Sequence, residues 1–417
     1  MKHFDRTAWN RKIKRVYCIF LFVGAAVLSG CATTSGGITS VPSVGPVLSS
    51  DYGNTGTLSV NGNLPKIDVA VPVFDPNLPK DRDTWEKQGI FAELRRAESN
   101  RFALKMKSAL EDTHAFGAVR VVPNSTATGD LYVVGKIIQS NGEDVKINIT
   151  VVDISGKQWF TKDFTHRVKE GFHGNIRNKG KDPYAPVFEE AAAYIVKKLN
   201  KRKSGELKRL QLISEIRFGS SLSEETFSRY LKAEGRRVDL AAVPADNDPA
   251  LQRIKPIRVR DQLFIDRMQT HYTDFDQKMD DSYLVWQQQS LVKVKAARKA
   301  KKKALVQGIL GGLLVVAGAV AAADSNNNAA TEVAATGAII GGAIVLGQSF
   351  QTRAEMKVHR EALAELGQSI NIEIAPQVVE YENQTADLVG DAAQQYKQWI
   401  AFLKKIYDLE VTPAKQL

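Results

Sequence analysis

"QGILGGLLVVAGAVAAADSNNNAATEVAATGAIIGGAIVLGQ", residues 307–348, sets two apolar stretches about a polar tip, and glycines recur in both. Ala304–Ala323 and Val333–Gln351 carry no charge. About 20 such residues are what an α-helix needs to span hydrocarbon. Gly308 and Gly312, and Gly337 and Gly341, are small-xxx-small pairs, and Gly311, Gly318, Gly342 and Gly347 extend the smooth faces. In a soluble helix each glycine costs about 1 kcal/mol relative to alanine. Close backbone packing in lipid offsets that cost. The stretch therefore reads as a glycine-zipper transmembrane hairpin over residues 304–352. Lys299, Lys301, Lys302 and Lys303 precede it and Arg353 follows it, so both basic flanks fall on one side, against anionic headgroups. A hairpin in the inner membrane and a soluble bundle core are the alternatives.

Working outward, residues 202–303 and 353–417 flank the hairpin, and the chain beyond residue 202 reads as wholly helical. Phe264, Met268, Tyr272, Phe275, Met279, Tyr283 and Trp286 follow one another in steps of three or four, a single apolar stripe. Leu363, Leu366, Ile370, Ile374, Val378 and Tyr381 keep the same spacing beyond the hairpin. The facing stripes predict a long antiparallel helical stalk, roughly 70 Å at 1.5 Å per residue. Pro376 should kink or interrupt its second arm. The competing reading packs both helices on the preceding domain.

The N-terminus reads as an export signal, residues 1–30. Six basic residues lead into "VYCIFLFVGAAVL", which ends in "LSGC", residues 28–31. Small residues before a cysteine resemble the lipobox of bacterial lipoproteins, which implies cleavage before Cys31 and a diacylglycerol on its thiol. Ala32 follows in place of a retention aspartate, so the expected location is the outer membrane, with the bulk of the chain in the periplasm. Cys18 leaves with the signal, and no disulfide or thiolate chemistry remains. The net charge of +11 falls to about +6 without the signal, which suits a protein near anionic lipid and gives no reason to expect nucleic acid.

Residues 31–64 are rich in Gly, Ser, Thr, Val and Pro and read as a flexible tether. Residues 65–201 read as a small α/β domain in the order β-α-β-β-β-β-α. "KIDVAVPVF" is the first strand, "DLYVVGKIIQS", "DVKINITVVDI" and "QWFTKDFTHRV" form a meander turning at "NGED" and "SGK", and "PVFEEAAAYIVKKL" is the closing helix. That order resembles the periplasmic module of curli-channel and peptidoglycan-synthase-activator lipoproteins. The lipobox combined with the glycine hairpin resembles TraT-type surface-exclusion lipoproteins. These resemblances imply a non-enzymatic binding or ring-forming protein. The expected fold class is α+β: a mixed α/β periplasmic domain, a helical stalk and the transmembrane hairpin.

Chemistry is sparse. The mature chain has no GxxxxGK[ST], HExxH, GxSxG or CxxC, and its histidines are isolated. No catalytic residue, metal ligand or cofactor is expected, apart from the covalent lipid on Cys31. His173, Arg177, Lys179 and Lys181 lie in a basic loop that is a candidate partner contact, although such loops are often merely solvated. Arg95, Arg96, Glu98 and Arg101 read as salt bridges on a helix surface, with subunit contact in a ring as the alternative. The functional expectation is a homo-oligomeric outer-membrane scaffold or pore serving export or cell-surface modification. Its expected partners are membrane lipid, copies of itself and other envelope proteins. The alternative is a monomeric regulatory lipoprotein that contacts a periplasmic or cell-wall enzyme.

Overall fold

A computed structural model describes residues 61–87, 90–245, 247–311, 354–381 and 384–411. These lie in one compact unit, Ser50–Leu417. Cys31 and the tether as far as residue 60 lie outside the described residues.

Strand β1 (Val69–Pro72) is followed by a short helix α1 (Asp83–Lys87), the long helix α2 (Ala92–Glu111) and β2 (Val119–Val122). β1 pairs in parallel with β2 and β3 (Leu131–Ser140). A parallel neighbour needs a long crossover, and α2 supplies it between β1 and β2. β4 (Asp144–Asp153) and β5 (Gln158–Arg167) complete an antiparallel meander, giving the order β2-β1-β3-β4-β5. Its turns need left-handed backbone, which Gly142 (φ +85°) and Gly156 (φ +80°) provide.

Alternation sends Val133, Gly135 and Ile137 of β3 and Val145, Ile147, Ile149 and Val151 of β4 to one buried face. Helices α2 and α3 (Ala185–Leu199) cover it, with Phe102 meeting Phe74, Tyr184 and Phe188 edge to face. The Phe74 ring lies against Gly135, in space that a Cβ would enter. Gly135→Ala should therefore lower the urea midpoint by the equivalent of about 1–3 kcal/mol. An unchanged midpoint would mean that Phe74 has somewhere else to go.

Helices α4 (Ser204–Leu222) and α5 (Glu224–Phe227) lead to a small hairpin, β6 (Leu231–Glu234) and β7 (Arg237–Leu240). This corrects the all-helical reading beyond residue 202: Gly235, at φ +60°, turns the chain between two alternating runs. Helix α6 then spans Pro249–Gly311 without a break, 63 residues or about 95 Å.

The stalk is corrected too. Phe264, Met268, Tyr272, Met279 and Tyr283 are fully buried, but α6 lies along the α/β body as well as against the returning chain. Gln269 accepts a hydrogen bond from the Val121 N–H and donates to the Val121 carbonyl, both at 2.9 Å, sealing the free edge of β2. Arg120 pairs with Asp266, and the β3–β4 turn at Gly142 packs on Ser290 and Gln287. Farther on, Glu170 pairs with Lys295 and Glu143 with Arg298, the latter at 2.7 Å.

The returning chain is no single helical arm. Helix α7 (Ala354–Leu366) ends at Gly367, a hairpin of β8 (Gln377–Tyr381) and β9 (Gln384–Leu388) follows, and helix α8 (Ala392–Val411) closes the chain. A step of four residues satisfies a strand period as well as a helical one, so Ile370, Ile374 and Val378 could not reveal which applied. Pro376 sits just before β8, where a helix could not continue. A Cβ on Gly367 would strike the Glu93 carbonyl, and Arg96 donates to the Gly367 carbonyl at 2.6 Å, so this turn is pressed onto α2.

The transmembrane hairpin is also overturned. Among the described residues no helix is long and apolar enough to cross a membrane. The apolar end of α6 from Ala304 to Gly311 is eight residues, preceded directly by Lys301, Lys302 and Lys303, against the roughly 20 that a span requires. Residues 312–353 lie outside the described residues. Among the described residues the fold is α+β, without the predicted stalk or a membrane span.

Candidate functional site

Strand β4 runs from a turn beside Arg298 to a turn beside the β6–β7 hairpin, so the body has two distinct ends. At the first end the β3–β4 turn, the exit of β5 and residues 287–298 of α6 converge. The predicted basic loop leaves from this place. His173 is half-buried, and burial holds its pKa below the usual histidine range; Arg177, Lys179 and Lys181 are exposed. Asn175 accepts from the Arg177 N–H at 3.0 Å, and buried Asn178 donates to the Phe172 carbonyl at 3.2 Å, so side chains build the loop from within. Ile176 stands at its tip, 86% exposed.

Beyond Arg298, α6 continues with exposed Lys299 and Lys302, and Lys301 and Lys303 lie on the same helix. Gly308 and Gly311 occupy its final turns. Gly312, Gly318, Gly337, Gly341, Gly342, Gly347 and Arg353 lie outside the described residues. The structure thus brings the basic loop and the lysine-rich helix end, 120 residues apart in sequence, to one end of the body.

The α2 charges are mostly not a surface lattice, which corrects the expectation for them. Arg101 is 1% exposed and pairs with Asp276 at 2.6 Å, Asp280 at 2.7 Å and Asp182 at 3.3 Å, while its guanidinium lies 4.7 Å from the Tyr283 ring centre. Burial opposes its charge, but Asp182 and Asp276 outweigh that and push its pKa up. Glu98, equally buried, accepts from Ser140 and Tyr283 and pairs with Arg95; burial raises its pKa. Helix α2 lies between the sheet, α6 and α7, so its polar face is interior. Arg96 keeps its ion pair to Glu93, half in solvent.

Sequence reading missed two clefts. Asp68, Asp130, Lys208, Gln211, Glu215 and Arg258 line a polar one of about 380 Å³ near the second end. Burial raises the pKa of Asp130 there, and Arg258 stands 4.0 Å away. An apolar groove of about 240 Å³ runs between α6, β8 and α8, lined by Leu263, Val378, Trp399 and Ile406 with Arg260 and Arg267 at its side. Neither cleft has a local motif, because each is assembled from segments far apart in the chain. Among the described residues no group of three or more His, Cys, Asp or Glu side chains is placed to hold a metal ion.

No protein-family model, curated protein or solved structure matches the chain.

Proposed function

We propose that this chain is a non-enzymatic, lipid-anchored scaffold of the bacterial outer membrane that works as a homo-oligomer, in export or in modification of the cell surface. The observation that carries the reading is the continuity of α6. One unbroken helix is clamped to the α/β body as far as Arg298 and then runs on into the start of the glycine-rich segment. Small residues let helix backbones approach closely. Association there would array the attached bodies in fixed relation to one another. The lipobox at Cys31 supplies the anchor, and the sparse catalytic chemistry supports a binding role.

Light scattering and crosslinking of the detergent-purified full chain test this. We expect a defined oligomer, reduced to smaller species by Gly312→Leu or Gly341→Leu, and labelled palmitate incorporation that Cys31→Ser abolishes. A monomeric wild-type chain would sink the scaffold. It would favour instead the regulatory reading, for which the apolar groove beside Arg260 and Arg267 is the specific support. In that case deletion of residues 304–352 leaves partner binding intact.

A further inference from the structure

A single exposed isoleucine is ordinary on a protein surface. Ile176 differs in its setting. Its loop is held by Asn175 and Asn178, so the side chain is presented by a built tip, with exposed Arg177 and Lys179 beside it. The nearby acids of this end, Glu143, Asp144 and Glu170, are engaged by Arg298, Arg167 and Lys295. What this end offers outward is cationic, and it is continued by Lys299 and Lys302 on α6. We propose that this end of the body docks on an anionic bilayer surface, with Ile176 entering the headgroup layer and the loop and helix-end cations meeting lipid phosphates. An apolar tip ringed by cations is complementary to such a surface, where charge attracts and a small apolar group finds depth. A protein partner of this end would offer carboxylates and would need no isolated protruding isoleucine. The proposal rests on the envelope reading only for which membrane is met.

The test uses the full chain carrying Cys18→Ser and Cys31→Ser, so that no acyl anchor contributes, with an environment-sensitive NBD label at Ile176→Cys. Vesicles of phosphatidylcholine, with and without phosphatidylglycerol, are added. The expected result is a blue shift and intensity gain with the anionic vesicles only. Raised salt should cancel it by screening, as should the pair Arg177→Glu and Lys179→Glu, both at exposed positions. A label at Glu234→Cys, on the β6–β7 hairpin at the opposite end of the sheet, should not respond. No shift at position 176, an equal shift on neutral vesicles, or an equal shift at position 234 would each overturn the proposal. Because the readout is local and independent of acylation and oligomer size, it can fail while the scaffold stands, or hold while the scaffold fails.

Discussion

Arg101→Met should lower the stability of the folded chain by about 3–5 kcal/mol, the cost typical of breaking a buried ion pair from one side. The reason lies in what is left behind. Asp276 keeps Lys105 at 2.9 Å and Asp182 keeps the Tyr184 N–H at 2.8 Å, but both lose the guanidinium, and Asp280 is left to solvent. Asp276 and Asp280 belong to α6, Asp182 lies in the loop that leads into α3, and Arg101 is on α2, so one guanidinium ties α2 to α6 and to the approach to α3. Urea unfolding of the variant beside Arg209→Met provides the check. Arg209 and Asp239 form an exposed pair, and its loss should cost no more than about 1 kcal/mol. Equal costs for the two variants would remove the argument that Arg101 clamps α6 to the body.

Asp261→Asn should stabilise the protein at pH 8 and leave it nearly unchanged at pH 4. Asp261 is 1% exposed, its Oδ1 has no hydrogen-bond partner, and burial pushes its pKa up to about 7. Contacts from Trp399, Tyr396, Arg258 and Arg120 offset only part of that burial. An unfolded aspartate titrates near 3.9. Between about pH 4 and 7 the unfolded chain therefore releases a proton that the folded chain retains, and stability falls as pH rises. Above pH 7 the loss is complete, on the order of 2–4 kcal/mol for a displacement of this size. Glu98 and Asp130 are displaced in the same direction and add to the slope of the wild type. The difference between wild type and Asp261→Asn isolates the one group. Urea midpoints at pH 4, 6 and 8 would show the two curves parting as pH rises; parallel curves would rule out a protonated Asp261.

The meander and its closing helix were legible because β3, β4 and β5 alternate cleanly and turn at glycines, signals that belong to neighbouring residues. The stripe on α6 was legible for the same reason. What the stripe packs against was not. Phe264 stacks on Trp399 at 4.8 Å, while Gln269, about 100° around the helix from Met268 of the apolar line, bonds to the β2 edge. Nothing local distinguishes a helix that meets a partner helix from one that also lies across a sheet edge. In the return segment the steps of four suited helix and strand alike, and Pro376 was the truer guide.

The two ends of the body show the same division. The cations of residues 177–181 and 299–303 are plain in the chain, and so are the small residues before Cys31 and the glycine repeat, because each is a run of adjacent residues. Their convergence is tertiary, produced by a helix laid along the sheet so that Lys295 and Arg298 meet Glu170 and Glu143. Burial of Arg101, Glu98 and Asp261 is tertiary as well. Local sequence determined the β3–β5 meander, the helical stripe of α6 and which segments carry charge, but not the hairpins β6–β7 and β8–β9. Only packing decided which of those charges face water, because desolvation depends on everything that surrounds a group and not on its neighbours in the chain.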